Sequence, residues 1–266
     1  MMDDVTLAMP PMIDTHCHLD DPQFEGDLEQ VIAASRAVNV NRWTLIGYDP
    51  DRWDAVIDMA QRIDGMSHTL GVHPACAESW NDATDARLRD LLASSGAVGI
   101  GEAGLDFYRD NAAYDVQANA FAGQLELAAD TNLPIVIHMR SADEEILRLL
   151  SDGRRLPTLL FHSFDGNEAL LDFAISTNSY VGMGGLATRQ KSETLRQYLT
   201  KVPMERIVLE TDSPYLVPAR QKDRRNQPAQ IATIATMMAD YFGIDPHTLA
   251  TQTTANAERL FGLPHE

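Results

Sequence analysis

The chain has 266 residues, 44% of them apolar and 23% charged, the balance of an ordinary globular protein and a length that fits one α/β barrel of about 250 residues. No stretch approaches the ~18 consecutive apolar residues of a membrane-spanning helix, and residues 1–11 carry Asp3 and Asp4 with no Lys or Arg, unlike a secretory signal. The net charge of −18, from 21 Lys plus Arg against 39 Asp plus Glu, argues against a protein that grips long polyanions through a basic face.

Residues 1–11 read as a short lead-in, and the first apolar run, 12–15, passes into Asp14-Thr15-His16-Cys17-His18. His16 and His18 stand two apart on a strand, so both point to one face. Cys17 points away as a small packed hydrophobe. Asp14 shares the histidines' parity and is a candidate for orienting an imidazole. The stretch 28–38 repeats its apolar residues every three or four positions, the spacing of one helix face.

Run 43–47 and helix 53–62 follow, then run 69–72, which ends at His73, and run 98–101, which ends at Glu102. Helix 118–129 leads to run 135–137, ending at His138, and helix 144–150 to run 158–161, ending at His162. Runs 180–183 and 207–209 complete a set of eight, the last passing into Glu210-Thr211-Asp212. Helical stretches 228–242 and 248–261 would close the outer ring. Strands alternating with helices predict a parallel sheet. Eight units without a linker or low-complexity tract predict a single-domain (β/α)8 TIM barrel over residues 12–266.

Parallel barrels carry their sites at the carboxyl ends of the strands, which open onto one face. Five of the eight histidines lie at predicted strand ends. One imidazole there is ordinarily core, and one carboxylate ordinarily a helix cap. Four imidazoles and two carboxylates at one mouth would be costly to desolvate unless something paired them. A pair of divalent metal ions does so, because neutral imidazole and ionised carboxylate are its natural ligands. Four imidazoles suit Zn, Mn, Fe or Co better than Mg. Cys17 and Cys76 are too few for a disulfide framework, which fits a cytoplasmic protein.

With these residues in place, the sequence resembles the TatD family of metal-dependent deoxyribonucleases, within the amidohydrolase superfamily. The resemblance is carried by Asp14-Thr15-His16-Cys17-His18-Leu19, Gly71-Val72-His73-Pro74, Gly99 to Asp106, and His138-Met139-Arg140. It continues through His162-Ser163-Phe164-Asp165-Gly166, Glu210 to Leu216, Arg225-Asn226-Gln227-Pro228 and Asn256 to Gly262. It implies a barrel with two divalent ions per chain, His16, His18 and Asp212 holding one, His138 and His162 the other, and Glu102 bridging them. In several relatives of the wider superfamily a carboxylated lysine does the bridging, whereas the fourth strand here offers Glu102 and no Lys. His73, Arg140, Arg225 and Asn226 fall at positions similar to the family's substrate contacts. Ala75 stands where many members have a second His, and Gln227 where Glu is common.

The expected chemistry is phosphodiester hydrolysis, a 3′–5′ exonuclease on DNA or RNA ends, with Asp212 as the proton shuttle and Glu102 as the shared carboxylate. Arg140 and Arg225 would neutralise phosphate oxygens. The alternative is a dinuclear esterase or amidohydrolase acting on a lactone, cyclic amide or aminoacyl ester, since one fold hosts many chemistries. A monomer with no membrane attachment is expected.

Overall fold

The computed structural model describes residues 9–109 and 112–265, so most of the expected lead-in lies outside the described residues. Eight strands form a parallel sheet in sequential order: β1 (Met12–Cys17), β2 (Val40–Gly47), β3 (Met66–Leu70), β4 (Gly99–Asp106), β5 (Ile135–Arg140), β6 (Leu159–Phe161), β7 (Tyr180–Met183) and β8 (Ile207–Leu209). The first and last strands meet as well. Thr15 Oγ1 donates to Leu209 O at 2.9 Å, Asp212 N to His16 O at 2.9 Å, and His18 N to Ser213 O at 2.8 Å. The result is the (β/α)8 barrel that the alternation predicts.

Nine helices surround it among the described residues: α1 (Leu28–Arg36), α2 (Trp53–Arg62), α3 (Asp82–Ser94), α4 (Tyr114–Thr131), α5 (Asp143–Leu150), α6 (Glu168–Ser176), α7 (Glu193–Leu199), α8 (Ile231–Phe242) and α9 (Pro246–Phe261). Their ends follow side-chain chemistry. Asp245 caps α9 by accepting from Thr248 N at 2.9 Å, Pro246 starts it, and Gly262 closes it at φ +62. The helix therefore begins two residues before the 248 read from apolar spacing. No described helix is long and apolar enough to cross a membrane.

Strand alternation sorts the side chains into two cores. Ile135, Ile137 and Met139 of β5, Leu159 and Phe161 of β6, and Ile207 and Leu209 of β8 pack outward against the helices. Val136, Leu160, Tyr180 and Val208 point inward with Ile13 and are capped from below by Ala257, Leu260 and Phe261 of α9. Two residues further along each inward row stand His138, His162, Gly182 and Glu210. The interior is thus an apolar floor at the amino-terminal end and a polar layer at the carboxyl end. Each large floor side chain contributes about 1.5–3 kcal/mol by its burial, which holds the polar layer at a fixed height.

Candidate metal centre

Close backbone approaches set the polar layer. Gly104 faces His138 across the β4–β5 pairing with φ +154, and a Cβ there would run into the His138 carbonyl. Gly182 leaves room for the Glu210 carboxylate, which a Cβ would strike. Ser141, Ser163 and Asp212, directly after Arg140 and His162 and just beyond β8, all have positive φ (54°, 45° and 56°). These left-handed turns bend the chain out of three strand ends around the same centre. Non-glycine residues in this region are uncommon and cluster at functional sites.

The donor atoms converge. His16 Nε2 and His18 Nε2 are 3.2 Å apart, and Glu102 Oε2 is 3.4 Å from His16 Nε2. Asp212 Oδ1 lies 3.3 Å from His18 Nε2 and 3.6 Å from His16 Nε2. A tetrahedral ion with bonds of about 2.0–2.2 Å has donor edges of about 3.3–3.6 Å, so His16, His18 and Asp212, with edges of 3.2, 3.6 and 3.3 Å, are spaced as three ligands of one cation. Three triads have their donor atoms within 4.8 Å of one another: His16, His18 and Glu102; His16, His162 and Asp212; His73, Glu102 and His138. His138 is therefore grouped with His73 and Glu102, whereas the family pattern pairs it with His162. Glu102 stands among all of them, 2.5 Å from His138 Nδ1 and 3.8 Å from His162 Nε2.

Charge explains why the arrangement calls for cations. Burial alone would raise the Glu102 and Asp212 carboxyls, but the surrounding imidazoles hold Asp212 below its ordinary value and Glu102 well below it. Burial would lower His162, yet Glu210, Glu102 and Asp212 push it up to about 10. Glu102 and Asp106 likewise overcome burial at His138 and push it up to about 9. His18 is raised by Asp212 and Glu102 against its burial. Burial and His162 push His16 down, and burial with His138 takes His73 down to about 3. His16 and His162 stack with ring centroids 3.5 Å apart, so both cannot carry a proton. Divalent cations satisfy ionised carboxylates and neutral rings together, which protons on alternate imidazoles cannot.

The structure brings His16, His18, Glu102, His138, His162 and Asp212 together and sets His73 beside His138, centroid to centroid 4.3 Å. Most of these, with Arg140, line a cavity of about 510 Å³ at the carboxyl mouth. Two expected substrate contacts lie elsewhere. Arg225 is held in a bidentate pair by Asp27 (2.9 and 2.6 Å) and lies over Phe24; it does not line the cavity. Asn226 is fully buried and donates to Thr211 O at 2.8 Å, a packing role under the loop after β8.

Asp14 corrects the parity argument. The β1–β2 register slips between Asp14 and Cys17, and the Asp14 carboxylate faces the backbone, accepting from Thr211 Oγ1 (2.5 Å), Thr211 N (2.9 Å) and His16 N (3.3 Å). Burial raises its carboxyl to about 7 despite these bonds. The carboxylate beside an imidazole is instead Glu210, whose Oε1 lies 3.0 Å from His162 Nδ1 and accepts from Ser163 N at 2.5 Å. Asp106 does the same for His138, with Oδ2 3.3 Å from Nε2. Arg109 and Arg189 also line the cavity unforeseen. Gly104-Leu105-Asp106 was the available signal for Asp106: continuing the strand past the glycines brings it to the mouth.

Known proteins of related sequence and fold share most of the chain's length. A family profile described as "TatD related DNase" matches residues 13–262. The 3′-5′ ssDNA/RNA exonuclease TatD of Cronobacter sakazakii is 37% identical over 256 residues, covering 94% of this chain and 97% of that protein. An uncharacterized metal-dependent hydrolase of Bacillus subtilis, YabD, is 32% identical over 253 residues, covering 95% and 99%. Among solved structures, the TatD homologue YJJV of Escherichia coli superposes with a TM-score of 0.88 at 26% identity, covering 95% of this chain and 98% of that one.

Proposed function

The chain belongs to the TatD family of DNase-related hydrolases, and on that footing we propose that it is a dinuclear, divalent-metal-dependent phosphodiesterase that removes nucleotides from the 3′ ends of single strands. The observation that carries the reading is the juxtaposition of an imidazole–carboxylate cluster with Arg109, Arg140 and Arg189 around one cavity. His16 and His18 with Asp212 would hold one ion, His138 and His162 the other, with Glu102 shared. His73 stands as a further donor beside His138. When bound, the ions supply Lewis acidity toward a phosphoryl oxygen and toward a water molecule.

The chain's own groups do the rest. Asp212 keeps its side chain 13% exposed at the edge of the cluster, an ionised carboxylate able to take a proton from the attacking water and return it to the leaving oxygen. The three guanidiniums neutralise non-bridging oxygens with planar forks that match phosphate. Glu210 and Asp106 hold the His162 and His138 rings with one nitrogen toward the cluster. A cavity of about 510 Å³ is the size of a small-molecule pocket and suits a strand end better than a duplex. In a chain of net charge −18, attraction confined to the mouth favours end recognition over tracking along a strand. Two unpaired cysteines fit a reducing compartment, and we place the protein in the cytoplasm as a monomer.

The test compares turnover on single-stranded DNA and RNA oligonucleotides with turnover on lactones, cyclic amides and aminoacyl esters, each with the same loaded metals. Release of mononucleotides from 3′ ends supports the proposal. Faster turnover of an ester or amide, with intact strands, overturns it.

A further inference from the structure

Exposed aromatic residues are concentrated where a strand end would arrive. Among the described residues the exposed large apolar side chains are Val38, Phe107, Tyr108, Tyr114 and Tyr215, and three of these five belong to the connection after β4 and the first residue of α4. Phe107 and Tyr114 meet edge to face at 5.8 Å and support each other. Tyr108 is 67% exposed, the most of the five. It is nevertheless not a loose side chain. The Arg140 guanidinium covers one face of its ring, 4.0 Å from the centroid, and Asp106 Oδ1 accepts from the Tyr108 backbone N–H at 2.9 Å.

The same Asp106 carboxylate places Oδ2 3.3 Å from His138 Nε2. One carboxylate thus ties the ring's backbone to the cluster. Arg109, next in sequence and also bonded to Asp106 at 3.0 Å, lines the cavity, as does Arg140 under the ring. A largely exposed ring, 67% accessible, backed by one guanidinium and next to another matches the chemistry of a nucleobase attached to a phosphate. Bases stack on such faces with little sequence preference, because every base has a π-face. A fully paired duplex does not offer that face, so the arrangement also selects single strands.

We infer that Tyr108, clamped by Arg140, is a stacking platform for a base of the strand whose phosphate lies at the cluster. This rests on the reading of the site as a nuclease and adds to it a base-binding position. Tyr215 stands after β8, four strands away on the opposite side of the mouth, but its hydroxyl donates to Asp21 at 2.8 Å and its ring lies edge-on to His18 at 6.0 Å. Tyr215 lines the cavity itself, whereas Tyr108 stands beside the cavity-lining Arg109 and Arg140 and is the more exposed ring, 67% against 45%.

The experiment measures binding of a 5′-fluorescein-labelled, phosphorothioate-linked thymidine hexamer by anisotropy, using the metal-loaded full chain. An abasic hexamer of the same length and charge is the comparison. The wild type should bind the base-bearing strand about ten-fold more tightly than the abasic one, the size of one base–aromatic stack. Tyr108→Ala should bring that ratio close to one, and Tyr108→Phe should restore it. Equal losses on both strands in Tyr108→Ala would mean that Tyr108 only supports Arg140, and the platform is wrong. An unchanged ratio in Tyr108→Ala, or a wild type that does not distinguish the strands, also overturns it. A cleavage assay on the ordinary phosphodiester strand keeps the two readings apart. Ratio-dependent binding without hydrolysis would sink the nuclease and leave the platform. Hydrolysis indifferent to Tyr108 would do the reverse.

Discussion

Glu210 is the clearest single position at which the support given to one imidazole of the cluster can be tested. Its Oε1 lies 3.0 Å from His162 Nδ1, its own side chain is fully buried and that of His162 is 6% exposed. Glu210→Gln keeps the shape and the acceptor for Ser163 N but removes the charge. A contact to a charged group is worth about 1.5–3 kcal/mol and a neutral one about 0.5–1.5, so roughly 1–1.5 kcal/mol of support for the His162 ring is lost. That is about ten-fold in metal affinity, at the lower end of the 10–100-fold usual for groups that orient a ligand. The metal-stripped protein should be less stable than wild type at neutral pH, since Glu210 holds the buried His162 ring protonated and its loss leaves that charge without its partner. Competition against a chromophoric chelator measures the affinity, and calorimetry of the stripped protein measures the fold. Unchanged affinity, or a melting temperature without metal equal to that of wild type, would refute this role of Glu210.

Further outcomes follow from named contacts. Asp212→Asn should lower turnover at least ~100-fold, the contribution of a positioned acid–base group; steady-state kinetics on a protein with normal metal content and normal circular dichroism checks it. Arg225→Ala should leave strand affinity unchanged in the same anisotropy measurement, because Arg225 is paired with Asp27 outside the cavity lining, whereas Arg189→Ala should weaken binding of the same strand. His68 is buried against Ser95, and burial takes it down to about 4 from 6.5. Between those values the unfolded chain binds the proton that the folded chain refuses. Stability is therefore lost as pH falls from about 6.5 to 4, by on the order of 3 kcal/mol. His68→Gln should flatten that part of the unfolding free energy against pH relative to wild type.

Local alternation along a strand places part of the site, and pairing between distant segments places the rest. The inward positions of β5, β6 and β8 were legible because a strand repeats every two residues: Val136 and His138, Leu160 and His162, Val208 and Glu210 share a face whatever the rest of the chain does. The same rule failed at Asp14, since the register slip in β1 depends on how that strand pairs with β2. Glu102 was found at the end of an apolar run that in fact continues to Asp106. Gly101 and Gly104 permit the close approach of β5 that keeps the strand going. Glu210 was visible beside Asp212, but its orientation depends on the missing side chain of Gly182. Arg225 looked available for phosphate because Asp27, its partner, is 198 residues away in sequence.

The central claim is that the cluster holds divalent ions through a shared Glu102. Elemental analysis of chain purified without chelator, wild type beside Glu102→Ala and His138→Ala, tests it most directly. Two ions per chain are predicted for the wild type, loss of both in Glu102→Ala, and loss of mainly one in His138→Ala. A single tightly held ion in the wild type, with the same count in Glu102→Ala, would contradict it.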